Sequence, residues 1–399
     1  MVEETIMQNV KVSSELFDEL INIRRHLHQY PELSFEEHET SNYIRSILEA
    51  WNISYQQVGE TGVIVDIVGE KGNGAHIGIR ADIDALPIQE NTGLPFSSKN
   101  EGIMHACGHD GHTTILLGTV YMLNRFKDQF LGRVRCIFQP GEEADGAAKQ
   151  MIEQGVLDNP KVNEMLALHL WPHIPFGTIG VKDGPITASC DQFKIMIKGK
   201  SGHSARPHQA IDAIAISTHV IQALSHLVVK ENNPIDPIVI HIGKISGGVA
   251  SNVVADEVVM EGTLRSLVKD NRIRVKERMI QLIQNLVESY GGKAEVMYAD
   301  GHPAVINDEK VTKVVEESVK ELYGDEALVR LKEPSMGGDD FGAFAERVPS
   351  TYFRLGIKKE NEDCYDLHHP QFQFDERIIA IGVEVFTLSV LKRLGEGIK

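Results

Sequence analysis

The chain has 399 residues, a length that favours two domains over a single hydrophobic core. Its formal net charge of −17 argues against a nucleic-acid-binding protein, because phosphate backbones are bound by basic surfaces, and it also disfavours anionic membranes. Hydrophobic residues make up 42% and charged residues 24% of the chain, which is typical of a soluble globular protein.

The cysteine content and the N-terminal residues bear on where the protein works. Four scattered cysteines are too few for a disulfide framework, so we expect a reducing, cytoplasmic location. The first twenty residues lack the basic start and apolar core of a signal peptide. No uninterrupted apolar run reaches the roughly 18–20 residues that span a bilayer, so we expect no membrane partner.

The N-terminal half alternates between helical and strand-like patterns. Apolar spacing predicts a helix over Ser14–Gln29, and Ser34-Phe35-Glu36-Glu37 matches a capping box that predicts a second helix beginning near Ser34. Buried strands are predicted at 63–68, 75–83, 134–138 and 165–168, and one further helix is predicted at 113–126. This alternation predicts an α/β fold with a mostly parallel sheet.

The middle of the chain has a different pattern, which predicts an inserted domain. Elements are predicted in the order strand 191–199, helix 210–229, strands 238–245 and 257–265, helix 271–289 and strand 294–298. The order β-α-β-β-α-β is that of a ferredoxin-like α+β domain. A strand at 351–355 and a helix at 376–394 then resume the α/β pattern. We therefore predict a discontinuous catalytic domain, 1–183 and 301–399, with an insertion at 184–300.

Side chains that bind metal ions follow the predicted strands. They are Cys107 and His109 in one cluster, Glu142 and Glu143 after strand 134–138, His169 after strand 165–168, and His368 and His369 in a polar turn. The carboxyl ends of neighbouring parallel strands meet at one crevice, so we expect these groups to converge. Thiolate, imidazole and carboxylate are ligands of zinc and related ions, and more than four candidates indicate two ions.

The adjacent glutamates are the candidates for acid–base chemistry. Taken alone, Glu142-Glu143 would be a solvated acidic turn. Beside the histidines, one carboxylate can bind metal while the other takes a proton from a metal-activated water. The sequence lacks Gly-X-Ser-X-Gly, and Cys107 has ligand-type neighbours instead of one orienting base, so a covalent nucleophile is disfavoured.

Segments in the same order along nearly the whole chain resemble the M20 metallopeptidase family. They are 24–34, 80–87, 104–112, 139–143 and 202–208. The closest branch holds amidohydrolases such as hippurate hydrolase, auxin-conjugate hydrolases and N-acetyl-diaminopimelate deacetylase. The resemblance implies an aminoacylase-like enzyme that uses a metal-activated water on acetyl-, benzoyl- or similar N-acyl amino acids. A metallo-aminopeptidase or dipeptidase on the same site stays open, with Asp339 as the residue that would reach a free amine.

The resemblance also implies roles for individual residues of a zinc-peptidase-like catalytic domain. The implied metal ligands are Cys107, His109, Glu143, His169 and His368, which would hold two divalent ions with Cys107 shared between them. Zinc or manganese is expected, with cobalt or nickel as alternatives. Glu142 would be the general base. Asp84 resembles an aspartate that orients a ligand in sister branches, but those branches carry a histidine ligand where this chain has Asp82, so a structural role is equally open for both.

The inserted domain is expected to supply groups that contact the substrate. The resemblance implies that His203 stabilises the oxyanion or grips the substrate, although alone it would be a surface histidine. Asn252 and Arg265 would bind a substrate carboxylate, with a salt bridge as the alternative for Arg265. Outside the insertion, Gly338 would let a loop approach the substrate, or it would begin a helix.

Two further expectations concern assembly and motion. The insertion is expected to act as a lid and to form a homodimer or a higher homo-oligomer, since a two-fold dimer is the commonest assembly. Glycine and proline at both chain crossings, near Gly184 and Gly301, favour a hinge that opens and closes over a small N-acyl amino acid or peptide.

Overall fold

The computed structural model of the chain describes residues 10–144, 146–360 and 364–395. Residues 1–9, which belong to the stretch expected not to be a signal peptide, lie outside the described residues. The chain forms two compact units. The first comprises Met1–Gly184, Ile306–Glu333 and Ala343–Lys399, and the second comprises Pro185–Val305 and Pro334–Gly342.

The described residues form the following elements in chain order. The helices are α1 (Ser14–Gln29), α2 (His38–Ala50), α3 (His109–Arg125), α4 (Ala147–Glu153), α5 (Ala213–Lys230), α6 (Lys269–Ser289), α7 (Glu309–Tyr323), α8 (Gly342–Ala345) and α9 (Ile378–Gly395). The strands are β1 (Gln56–Val58), β2 (Gly62–Val68), β3 (His76–Asp82), β4 (Arg133–Gln139), β5 (Glu164–Pro175), β6 (Ile179–Val181), β7 (Gly184–Thr187), β8 (Ser189–Lys198), β9 (Gly202–His203), β10 (Ile238–Gly247), β11 (Val253–Val254), β12 (Glu257–Ser266), β13 (Lys293–Ala299), β14 (Val305–Asn307), β15 (Leu328–Arg330) and β16 (Ser350–Lys358).

The first unit is built on an eight-stranded sheet in the order β1-β2-β4-β3-β5-β16-β6-β15. The four neighbouring strands β4, β3, β5 and β16 are parallel, whereas β1 and β2 pair in antiparallel fashion at one edge. Every residue of β3 is buried, as expected for a parallel strand covered on both faces. Helix α3 packs against α1 and α9 and is buried along most of its length. The predicted α/β fold with a large, mostly parallel sheet is confirmed.

The second unit contains an antiparallel four-stranded sheet in the order β10-β12-β8-β13, with α5 and α6 packed against it. Strands and helices follow one another as β8-α5-β10-β12-α6-β13, the ferredoxin-like order. Helix α5 is long and apolar enough to cross a membrane by length and composition, with a mean hydropathy of 1.3. Its buried residues recur every three or four positions, as in a helix that packs one face on a sheet.

Several elements differ from the predictions. Helix α2 begins at His38, and its N-cap residue Glu37 makes no side-chain cap. The amides of Glu39 and Thr40 donate instead to the carboxylate of Glu32, so the predicted capping box near Ser34 is wrong. Helix α3 begins at His109, not at residue 113, and His169 lies inside β5, not after it. Helix α7 and the short edge strands were not predicted.

Residues 334–342 lie in the second unit, although they were expected in the discontinuous catalytic domain. Their backbone bonds to elements of that unit account for the difference. The Ser335 amide donates to the carbonyl of Ile186, and the Ala188 amide donates to the carbonyl of Gly337. Two backbone hydrogen bonds therefore tie this segment to the beginning of the insertion.

Candidate metal centre

The N-terminus of α3 places the first two predicted ligands. Gly108, the residue before the helix, has φ of +86°, a conformation that glycine adopts without strain. A β-carbon at Gly108 would also lie 3.1 Å from Leu170 Cδ1, so the chain turns in a confined space. This turn separates Cys107 from His109, and both side chains are buried.

Six predicted site residues converge in the first unit. Their ligand atoms form three groups, each with all atoms within 4.8 Å of one another: Cys107, His109 and His169; Cys107, Glu143 and His368; and His109, Glu142 and Glu143. Cys107 belongs to two of the groups, as does His109. The geometry therefore brings together one thiol, three imidazoles and two carboxylates from four distant parts of the sequence.

Hydrogen bonds orient two of the imidazoles. The Nδ1 atom of His169 donates to the carbonyl of Leu170 at 2.7 Å, which leaves Nε2 at 3.4 Å from Cys107 Sγ. His109 Nδ1 lies 2.9 Å from the Asp84 carbonyl and 3.2 Å from Asp84 Oδ1, so Nε2 is turned the other way. Contacts of this kind select the tautomer and the ring orientation of metal-binding histidines.

The donor atoms fit a divalent cation. His109 Nε2 and Glu143 Oε1 are both buried, lie 3.9 Å apart and make no hydrogen bond within the described part of the chain. His368 Nε2 lies 3.2 Å from the same oxygen of Glu143. Buried polar atoms without partners are costly, and a cation between them would satisfy both. Sulfur, nitrogen and oxygen donors together match the ligand preferences of zinc and related ions.

Negative charge dominates the electrostatics of the centre. Burial raises the pKa of the Cys107 thiol, and the neighbouring Glu143 raises it further. Burial lowers the pKa of His109, but the carboxylates of Asp82 and Asp84 outweigh burial and raise it to about 10. A cation must therefore displace protons from both ligands, so metal affinity is expected to increase with pH.

The two aspartates near β3 have different hydrogen-bond partners. Asp82 Oδ2 accepts from Arg80 at 2.6 Å, and Asp82 Oδ1 lies 2.6 Å from His112 Nδ1. The amide of Leu170 donates to His112 Nε2 at 3.0 Å, so the neutral His112 ring carries its proton on Nδ1 and donates to Asp82. Asp82 therefore orients His112 and lies 3.7 Å from His109 Nε2, whereas Asp84 contacts His109 at Nδ1.

The adjacent histidines at 368 and 369 have different surroundings. His368 adopts φ of +64° and its amide donates to the carbonyl of Ala106, which keeps it beside Cys107. His369 accepts a hydrogen bond from the Gln371 amide at Nδ1, and its ring stacks on Tyr365. Only His368 belongs to a candidate metal group within the described residues.

The predicted substrate-binding residues of the insertion lie in the second unit. Strand β9 pairs with β11, and the amide of Ser204 donates to the carbonyl of Asn252, so His203 and Asn252 are on neighbouring segments. Both side chains are exposed. Arg265 Nη1 donates to the carbonyl of Met336 at 3.1 Å. A β-carbon at Gly338 would lie 2.1 Å from His302 Cε1, so no side chain fits there without displacing the imidazole.

The sequence reasoning missed two residues that contact the site. Ser34 Oγ donates to Asp84 Oδ2 at 2.6 Å, and Glu37 accepts from the amide of Gly141 at 2.8 Å. Ser34 and Glu37 have the spacing of a capping box, and such a local pattern does not indicate hydrogen bonds to residues far away in the sequence.

Comparisons with known proteins agree on one family. Residues 78–392 match the model of peptidase family M20/M25/M40. The chain is 41% identical over 382 residues to N-acetyl-L-cysteine deacetylase of Bacillus subtilis, covering 96% of this chain and 89% of that protein. It is 38% identical over 384 residues to thermostable carboxypeptidase 1 of Saccharolobus solfataricus, covering 95% and 96% of the two chains.

A solved structure gives the same result for the fold. The YxeP protein of Bacillus subtilis, described as a dinuclear metal-binding peptidase from the M20 family, superposes with a TM-score of 0.84 at 38% identity. The match covers 96% of this chain and 99% of that one.

Proposed function

The chain belongs to peptidase family M20/M25/M40 and is a metal-dependent hydrolase, and from this premise we propose that it cleaves the amide bond of N-acyl amino acids. We further propose two divalent ions, zinc or manganese, held by the five ligands predicted from the sequence. The observation that carries the proposal is the convergence of those ligands and Glu142 in three overlapping groups that share Cys107, His109 and Glu143.

The residues of the first unit have separate tasks in this proposal. Cys107, His109, Glu143, His169 and His368 would hold the ions. When bound, divalent cations polarise a carbonyl oxygen and lower the pKa of a water molecule. Glu142 lies within 4.8 Å of ligand atoms of His109 and Glu143, where it would take the proton of the attacking water and pass it to the leaving amine.

His203 has the tautomer that an oxyanion donor needs. The amide of Ala205 donates to His203 Nδ1 at 3.0 Å, so the neutral ring carries its proton on Nε2. A donor that is already oriented before the reaction stabilises negative charge as it develops on the substrate oxygen. We propose that Nε2 donates to that oxygen and that closure of the second unit brings it there.

Substrate preference is the part of the proposal that needs a direct assay. The similar proteins include an N-acetyl-L-cysteine deacetylase and a carboxypeptidase. We propose a substrate with a free carboxylate, as an N-acyl amino acid has. Arg265 and Asn252 would bind that carboxylate. We expect acetyl-, benzoyl- or indoleacetyl-amino acids to be cleaved faster than dipeptides in a screen with several divalent ions. Faster cleavage of free dipeptides would favour the peptidase alternative, and no cleavage of either class would refute the proposal.

Glu142→Gln tests the assignment of the base. The amide keeps the size of the side chain but cannot accept the proton, and loss of a general base typically lowers kcat by about 10²–10⁴-fold. We expect that loss in steady-state kinetics, with the metal content unchanged by elemental analysis. A variant that keeps more than half of the wild-type rate would exclude Glu142 as the base.

The second unit is also proposed to mediate dimer formation. Strand β10 lies at one edge of its four-stranded sheet, and Ile245 on this strand is 53% exposed. An exposed strand edge can pair with a second copy about a two-fold axis. Light scattering that shows a monomer at all working concentrations would refute this assembly.

A further inference from the structure

The turn that carries Glu142 has an unusual backbone. It follows β4, and Gly141 within it adopts φ of +63°. A β-carbon at Gly141 would lie 2.8 Å from Phe35 Cζ and 3.0 Å from Ala147 Cβ. Phe35 itself has φ of +66°, which is unfavourable for a residue with a side chain. Two residues in left-handed conformations are therefore in close contact beside the proposed base.

The carboxylate of Glu37 joins these two residues. Its Oε1 atom accepts hydrogen bonds from the amide of Phe35 at 2.9 Å and from the amide of Gly141 at 2.8 Å. Its Oε2 atom accepts from Thr61 Oγ1 at 3.0 Å. The Glu37 side chain is completely buried. One buried oxygen thus connects the backbone of the N-terminal segment to the turn after β4.

Asp84 holds the other side of the same turn. Its Oδ2 atom accepts from the amide of Glu143 at 2.9 Å and from Ser34 Oγ at 2.6 Å. The amides of Gly141 and Glu143, on either side of Glu142, therefore donate to two carboxylates from other parts of the chain. With both flanking amides fixed, few backbone positions remain open to Glu142.

Helix capping does not account for Glu37. Glu37 directly precedes α2, but its side chain caps no amide of that helix within the described residues. Burial of the carboxyl group is costly, and its hydrogen bonds offset that cost. One of these bonds reaches Gly141, in the turn that carries Glu142, and another reaches Phe35, which lies against Gly141. The carboxylate is therefore placed to hold this turn.

We propose that Glu37 is a positioning residue, which holds the Gly141 amide and thereby sets the position of Glu142. This inference rests on the proposed role of Glu142 as the base. Within the described residues, the hydrogen bonds of the Glu37 carboxylate go to Phe35, Thr61 and Gly141 and to none of the proposed metal ligands, so it would act through the backbone of the turn. Its loss should lower kcat far more than it changes KM or the metal content.

Three substitutions at Glu37 and one at Thr61 separate this role from general stability. Glu37→Ala removes every hydrogen bond of the carboxylate. Glu37→Asp keeps the charge but withdraws the carboxylate by about 1.5 Å, the length of one carbon–carbon bond. Glu37→Gln can still accept both amides at Oε1 and can donate to the Thr61 hydroxyl. Thr61→Val removes only the bond from the Thr61 hydroxyl and leaves both amide bonds at Oε1.

We expect the four variants to fall into two groups that differ in kcat. A displacement of about 1 Å at a reacting group typically costs about 10²-fold in rate. We expect Glu37→Ala to lose about 100-fold in kcat with KM within about threefold of wild type, and Glu37→Asp to show an intermediate loss. Glu37→Gln and Thr61→Val should keep kcat within about threefold of wild type. All four should retain the wild-type metal content.

Amide hydrogen exchange of the metal-free protein tests the same contact without an activity assay. Mass spectrometry of peptides spanning 139–144 should show faster exchange in Glu37→Ala and Glu37→Asp, and wild-type exchange in Glu37→Gln and Thr61→Val. If Glu37→Ala does not fold, Glu37→Asp carries the test. Unchanged exchange in the 139–144 peptides of these two variants would overturn the proposal, as would a wild-type kcat. An active Glu142→Gln variant would instead refute the base assignment and would leave the exchange result standing.

Discussion

Replacement of Gly141 by alanine should show that the shape of the turn matters beyond its contribution to stability. A residue with a side chain at φ of +63° costs about 1–3 kcal/mol, because that region is sparsely populated. The new β-carbon would also lie 2.8 Å from Phe35 Cζ, closer than β-carbons approach other atoms, and overpacking of this kind adds about 1–3 kcal/mol. We therefore expect a total loss of about 2–6 kcal/mol in free energy of unfolding.

The Gly141→Ala variant should lose activity even in the fraction of molecules that is folded, so the loss in kcat should exceed what unfolding alone would cause. The overlap is relieved by movement of the turn or of Phe35, and a shift of about 1 Å in Glu142 would lower kcat by about 100-fold. Steady-state kinetics on the folded, metal-loaded variant measure this loss, and urea denaturation measures the change in stability. Metal content should stay at the wild-type value, because the amide of Glu143 keeps its bond to Asp84.

Gly146→Ala is the matched control for this substitution. Gly146 has φ of +97°, and a β-carbon there would meet no atom of the described residues within 4 Å. The control therefore has the backbone penalty of about 1–3 kcal/mol without the steric overlap. We expect it to keep kcat within about threefold of wild type. Equal kcat values for Gly141→Ala and Gly146→Ala would refute the argument from steric displacement.

Other substitutions test the metal centre, the oxyanion donor and the second unit. Cys107→Ser should lower the metal content after dialysis and make activity depend on added metal, because a hydroxyl is a poorer ligand than a thiolate; an unchanged content of two ions per chain would count against Cys107. His203→Ala should lower kcat by about 10²–10³-fold with the metal content intact, and a wild-type kcat would remove His203 from the mechanism. Asp191→Asn should cost about 3 kcal/mol of unfolding free energy at pH 7, because Arg272, whose side chain is 14% exposed, loses its buried partner. Burial raises the pKa of Asp191, but Arg272 and Tyr298 outweigh burial and lower it, so the charged Asp191 stabilises the fold at neutral pH. The difference in free energy of unfolding between wild type and variant should therefore become smaller below about pH 4. A difference that stays constant in urea denaturation between pH 7 and pH 3 would contradict this.

The candidate metal centre was predictable because its residues are chemically distinctive and because Glu143 and His169 follow apolar segments of the sequence. Cys107, Glu143 and His169 are ligand types, and parallel strands bring their ends to one crevice wherever those residues stand in the sequence. The family and the metal-dependent amidohydrolase class are confirmed by the comparisons. The roles of individual ligands, the assembly and the closure of the second unit stay predictions.

Local sequence patterns gave wrong predictions where a side chain can form hydrogen bonds with either nearby or distant residues. Ser34 and Glu37 have the spacing of a capping box, but their oxygens bond to Asp84 and Gly141, about 50 and 100 positions further along the chain. The same limit applies to residues 334–342, whose backbone bonds place them in the second unit although they follow elements of the first.

The sequence by itself determined the fold class, the order of elements in the insertion and the set of candidate metal ligands. Periodicity and residue chemistry are properties of short segments, so they can be read along the chain. Only the tertiary structure decided which nitrogen of His109 and His169 faces the centre and which carboxylates hold the turn of Glu142. These features depend on hydrogen bonds between segments that are far apart in sequence, and such bonds are determined by the packing of the whole unit.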